Sequence, residues 1–141
     1  MTRKVNCIML IDDNESDNYY HEFVIKKNDC ADQVIVCESG EKALEYLQNA
    51  AQKGNPNPDI IFLDINMPGM SGWQFLTEYN KLDKEMQGKV IVVMLTAFER
   101  ADDKQKATES GSLIKYKTKP LTVEMLNEVY DKYFVATDTQ G

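Results

Sequence analysis

Clustered positive charge is the first thing this sequence lacks. Its 16 Lys and Arg are outnumbered by 23 Asp and Glu, giving a formal net charge of -7. Sequence-independent binding to a phosphate backbone needs a basic patch, so no nucleic-acid partner is expected. Long apolar runs are missing as well. The stretch from Cys7 to Ile11 is cut off at once by Asp12 and Asp13, too short for a signal peptide or a membrane span, so no membrane partner is expected and the location is read as cytoplasmic. Cysteine is scarce and odd in number, with no C-x-x-C spacing among Cys7, Cys30 and Cys37. Neither a disulfide framework nor a zinc site is indicated, and Cys7 and Cys37 read as small core hydrophobes. The only histidine, His21, has no partner at metal-ligand spacing and is expected at the surface or its boundary. Repeats and low-complexity tracts are absent.

What is present fits one domain. A chain of 141 residues suits a single core, read as a unit over 1–135 followed by a flexible tail over 136–141. Runs rich in Val, Ile and Leu alternate with amphipathic segments, the pattern of βα units around a parallel sheet buried on both faces. The fold class is therefore α/β, a doubly wound five-stranded parallel sheet. Its strands are expected near Val5 to Ile11, Gln33 to Cys37, Ile60 to Leu63, Val90 to Leu95 and Leu113 to Tyr116. Apolar spacings of three and four predict helix faces at Tyr20, Phe23, Val24 and Lys27, then at Ala43, Leu44, Leu47 and Ala51. Further faces follow at Phe75, Leu76, Tyr79 and Leu82, and at Met125, Leu126, Val129, Tyr130 and Tyr133. Thr122 is the expected N-cap of the last helix. Between Glu99 and Glu109 only Ala101 and Ala107 are apolar, which predicts a loosely anchored helix.

Polar groups follow the apolar runs in a telling order. Asp12 and Asp13 follow the first strand, Asp64 the third, Thr96 the fourth and Lys119 the fifth. In an open parallel sheet the carboxyl ends of the strands share one edge, so these groups would meet in one crevice. Singly, each has an ordinary explanation in turns and helix caps. Together, three carboxylates would repel one another without a counter-charge, and oxygen ligands at that density suit Mg²⁺, which keeps open positions for phosphate oxygens. Lys119 supplies a second positive group for a phosphoryl dianion and Thr96 a hydroxyl donor. Asp64, central among the strand ends, is the expected nucleophile, with Asp12 and Asp13 holding the metal. A cis bond before Pro120 would aim Lys119 into the crevice.

With Asp12-Asp13, Asp64, Thr96-Ala97 and Lys119-Pro120 in place, the sequence resembles the receiver domain of bacterial two-component response regulators along nearly its whole length. The resemblance implies a flavodoxin-like (βα)5 fold with strand order 2-1-3-4-5. It also implies that Asp64 takes a phosphoryl group from a histidine kinase, a histidine phosphotransfer protein or a small donor. Asp13 and Asp64 would ligate Mg²⁺ through their carboxylates, Asn66 through its backbone carbonyl and Asp12 through water, while Lys119 pairs with the phosphate. Thr96 and Tyr116 match the family's switch pair, and Asn66 and Phe98 match variable positions that tune phosphate loss. With no output module after the last helix, the resemblance is to single-domain regulators that pass phosphate on or bind a downstream target protein.

Two other classes remain. A phosphohydrolase of the haloacid dehalogenase type also uses an aspartyl nucleophile at a strand end, but it wants a second acid where Asn66 stands. A binding module with a vestigial pocket would work by contacts alone.

Overall fold

The computed structural model describes residues 4–54, 57–82, 91–97, 100–109 and 114–131. Five βα units follow one another: β1 (Val5–Ile11), α1 (Glu15–Lys27), β2 (Ala31–Cys37), α2 (Gly40–Lys53), β3 (Ile60–Asp64), α3 (Gly72–Tyr79), β4 (Ile91–Thr96), α4 (Ala101–Glu109), β5 (Ile114–Thr118) and α5 (Val123–Tyr130). The strands form one sheet in the order β2-β1-β3-β4-β5, every pair parallel. β1 has the bounds its sequence predicts, while β2 begins at Ala31 rather than Gln33. β3 and β4 run one residue further than expected, into Asp64 and Thr96, and β5 continues to Thr118. Val90, Leu113, Phe98, Tyr133 and the tail over 136–141 lie outside the described residues.

Period-two alternation sorts the strand residues onto two faces. Ile8, Leu10, Ile60, Phe62, Val93 and Leu95 join Val24 and Ile25 of α1 and Leu126 and Val129 of α5 in one core. Met9, Ile11, Ile61, Leu63, Val92 and Met94 join Ala43 and Leu47 of α2 and Phe75, Leu76 and Tyr79 of α3 in the other. A sheet covered on both sides needs apolar residues at nearly every position, and all five residues of β3 are buried.

Helix ends follow their capping residues. Ser39 and Thr122 accept from Lys42 N and Met125 N, while Ser71 and Gln74 close a reciprocal capping box on α3. Gly54 ends α2 in the left-handed region at φ 72°. Gly72 is required for a different reason. A Cβ there would stand 2.6 Å from the Asp64 carbonyl oxygen and 2.9 Å from Ile65 Cα, so only glycine lets α3 begin this close to the end of β3.

The predicted face of α1 needs correction. Tyr20 and Phe23 are 48% and 51% exposed, whereas Asn18, His21, Val24 and Ile25 form the buried face. Aromatic bulk mimics an apolar stripe in the sequence, but the helix is rolled so that Asn18 can donate from Nδ2 to the Asp12 carbonyl at 2.7 Å. His21, expected at the surface or boundary, is buried on that same face at 3% exposure. α4 contributes no described residue to either core.

The roll of α1 has a measurable consequence. Ile25→Ala should cost about 2 to 5 kcal/mol in urea unfolding, whereas Tyr20→Ala should stay within about 0.5 kcal/mol. Equal costs would contradict the burial pattern.

Candidate functional site

Strand register brings the polar groups together. Ile11 pairs with Leu63, Asp64 with Leu95 and Thr96 with Thr118, so β1, β3, β4 and β5 end at one level. The Lys119 amide donates to the Thr96 carbonyl at 2.7 Å, pinning the chain after β5 to the end of β4. The Lys119–Pro120 bond is cis. Asp12, Asp64 and Thr96 are all buried, at 4%, 7% and 0% exposure.

Oxygen atoms of Asp12, Asp13 and Asp64 lie within 4.8 Å of one another. Asp12 Oδ1 accepts from the Asn14 amide at 2.9 Å. Lys119 Nζ stands 2.7 Å from Asp12 Oδ2 and 3.7 Å from Asp64 Oδ1. All four residues predicted from the strand ends to carry charge therefore meet in one crevice. Thr96, the predicted hydroxyl, ends the neighbouring strand. The grouped donors are three carboxylates, an all-oxygen set that suits a hard divalent cation.

Burial and like charge set the electrostatics. Burial first, and then the charge of Asp12, push the Asp64 carboxyl up to about 6, against the pull of Lys119 and the Asn66 backbone amide. Burial also works against the charge of Lys119, but its hydrogen bonds to Asp12 and Asp17 outweigh that and hold its pKa above the ordinary lysine value. His21 is held below the ordinary histidine value, chiefly by burial.

Asp17 escapes the strand-end reasoning because it sits on α1. Its Oδ2 lies 2.8 Å from Lys119 Nζ. One signal for it exists in the sequence: Asn14 directly after Asp13 is a natural N-cap, which places Glu15 to Asp17 in a first turn beside the crevice.

The wall toward α4 is tied by polar contacts. Tyr116, half-buried, accepts at its hydroxyl from the Arg100 amide at 2.9 Å, at the start of α4. Trp73 Nε1 donates to Asp103 Oδ1 at 3.0 Å, and Lys106 Nζ lies 5.2 Å from the indole centroid. The loosely anchored helix expected from the sequence is thus held by hydrogen bonds and a cation–π contact.

Comparison with known proteins places this geometry. The profile of the response regulator receiver domain matches residues 8–131. The chain belongs to the response regulator receiver family. Response regulator Rcp1 of Synechocystis is 30% identical over 97 residues, covering 68% of this receiver and 65% of that protein. Sensor histidine kinase CheAY of Helicobacter pylori is 31% identical over 122 residues, covering 86% of this receiver but 14% of that protein. A two component response regulator from Cytophaga hutchinsonii superposes with a TM-score of 0.82 at 32% identity, covering 92% of this chain and 97% of that one. The receiver thus spans only part of those curated relatives. Membership implies that an aspartate accepts a phosphoryl group in two-component signalling. No helix among the described residues is long and apolar enough to cross a membrane.

The raised Asp64 fixes a pH dependence. A carboxyl with a folded pKa near 6 favours its protonated form, so its contribution to stability is complete below about pH 4 and is lost as pH rises through about 6. In metal-free buffer the wild type should lose about 2 to 3 kcal/mol relative to Asp64→Asn between those limits. His21 titrates in both proteins and cancels in the difference. Parallel urea-stability profiles would contradict the assignment.

The Tyr116 contact yields a separate expectation. Tyr116→Phe removes the acceptor for the Arg100 amide, so hydrogen exchange there should accelerate by about fivefold, the equivalent of about 1 kcal/mol. Unchanged exchange would show that the hydroxyl does not hold α4.

Proposed function

We propose that the protein is a stand-alone response regulator whose Asp64 accepts a phosphoryl group from the phosphohistidine of a histidine kinase or a histidine phosphotransfer protein. The observation that carries this reading is the meeting of Asp12, Asp13 and Asp64 within 4.8 Å, with Lys119 Nζ 2.7 Å from Asp12. In the transfer an Asp64 carboxylate oxygen forms the new O–P bond as the N–P bond of the phosphohistidine breaks. The imidazole nitrogen leaves with the electron pair and is then protonated.

A divalent cation fits the all-oxygen donor set, and Mg²⁺ is the ion proposed. Asp13 and Asp64 would hold it through carboxylates, Asn66 through its backbone carbonyl and Asp12 through water. When bound it neutralises the charge developing on the phosphoryl oxygens. Lys119 supplies the second positive group and Thr96, at the end of β4, a hydroxyl donor. Buried walls around Asp12 and Asp64 keep bulk water from screening these interactions.

Signalling is read through Thr96 and Tyr116. Movement of the Thr96 hydroxyl toward the new phosphoryl group vacates space for the Tyr116 ring, and Tyr116 is bonded to the start of α4. α4, which contributes no described residue to either core, is the element such a movement displaces most readily. The protein then passes its phosphate to a phosphotransfer partner or binds a downstream target protein. It turns over no external substrate, acts in the cytoplasm and engages neither nucleic acid nor membrane. The receiver unit is proposed to cover 1–135, with 136–141 as its tail.

Acetyl phosphate with Mg²⁺ tests this reading. One phosphoryl group per chain, absent from Asp64→Asn and abolished by EDTA, is the expected result in intact-mass measurements. Sustained phosphate release from many small esters would instead support a phosphohydrolase. No modification with acetyl phosphate, kinase or beryllofluoride would leave a binding module.

A further inference from the structure

Lys119 is displaced from the acceptor oxygen. Its Nζ makes close ion pairs with Asp12 Oδ2 at 2.7 Å and Asp17 Oδ2 at 2.8 Å, but stands 3.7 Å from Asp64 Oδ1, beyond hydrogen-bond range. Two of the three ammonium donors are thus engaged by Asp12 and by α1. Asp17 is fixed there by the helix start itself, since its backbone amide donates to Asn14 Oδ1 at 3.0 Å. It stands apart from the three grouped carboxylates Asp12, Asp13 and Asp64. Its contact with this crevice runs through the lysine.

We propose that Asp17 is a positioning residue that parks the Lys119 ammonium on the α1 side of the crevice in the unphosphorylated protein, and that it must yield the lysine when a phosphoryl group arrives on Asp64. The inference rests on the phosphoacceptor reading above. To reach oxygens carried by Asp64, Nζ has to move from Asp17 toward β3. The hydrogen bond to Asp17 competes with those oxygens. Asp17 Oδ2 and Asp64 Oδ1 lie 2.8 and 3.7 Å from the same ammonium, so the Asp17 charge is close enough to repel a phosphoryl dianion carried by Asp64. Asp17 therefore disfavours the phosphorylated state. Its side chain is 37% exposed, and an ion pair that open to water shifts an equilibrium by about fivefold at most.

A loosened helix start would weaken every ligand, whereas a released lysine does not. Removing a negative charge, and leaving Lys119 wholly to Asp12 and Asp64, weakens cation binding. The same change favours a bound phosphoryl mimic. The experiment titrates beryllofluoride at saturating Mg²⁺, and Mg²⁺ alone, into wild type, Asp17→Asn and Asp17→Ser. Asn and Ser both suit the first turn of a helix, so either variant carries the test if the other folds poorly. The expected result is beryllofluoride affinity about fivefold higher in both variants, with Mg²⁺ affinity about twofold lower. Unchanged beryllofluoride affinity overturns the role of Asp17, and so does a fall in both affinities, the mark of a merely structural residue. Failure of the wild type itself to bind beryllofluoride overturns the phosphoacceptor reading and this inference with it. Wild-type binding without a gain in the variants overturns the role of Asp17 alone.

Discussion

Buried carboxylates at the end of a parallel sheet are tolerated only beside a compensating positive charge, and in this molecule Lys119 provides it. Unit charges attract by about 4 kcal/mol at 4 Å where the effective dielectric is ~20. That attraction has to offset the desolvation of both partners. The offset holds only while the geometry is kept. Lys119 reaches Asp12 because the end of β5 is tied to the end of β4, its amide donating to the Thr96 carbonyl at 2.7 Å. Asp64 faces the same point because β3 lies between β1 and β4 in register. A sheet slipped by one residue would send these side chains to the wrong face.

Apolar packing is distributed unevenly around that point. The floor of the crevice is sheet, with β3 buried throughout and large side chains such as Phe62 and Phe75 filling the two cores. Gly72 lets α3 begin hard against the Asp64 carbonyl, so the end of β3 and the start of the third helix are packed directly together. α4 is different. It contributes no described residue to either core, and its contacts include the Tyr116 hydroxyl at its start and the Trp73 indole, met by Asp103 and Lys106. Contacts of this kind exchange partners at far lower cost than packed apolar surface does. The carboxylates thus sit on the densely packed side of the crevice, and the helix without core residues lies on the other.

The sequence was most legible where one physical rule acts alone. β1 is a continuous apolar run ended by two acids, and its limits are read without error. Asp12, Asp13, Asp64 and Lys119 were found by one argument, that parallel strands end together, and the sheet satisfies it. α1 was misread because two requirements compete on it. Tyr20 and Phe23 look like the buried stripe, yet the helix turns Asn18 and His21 inward so that Asn18 can bond the Asp12 carbonyl. Spacing of apolar residues carries no record of such a bond. Asp17 was missed because its role arises between α1 and the chain after β5, a tertiary contact across 102 positions. The polar ties of α4 were invisible for the same reason, although its lack of apolar residues was plain.

Trp73 is the sole tryptophan of the chain, and its indole lies between a carboxylate and an ammonium, both carried by α4. Indole emission responds to nearby charge and to water, so the protein is furnished with its own optical gauge of where that helix stands. The gauge needs no attached dye, and it lies on the side of the crevice away from α1.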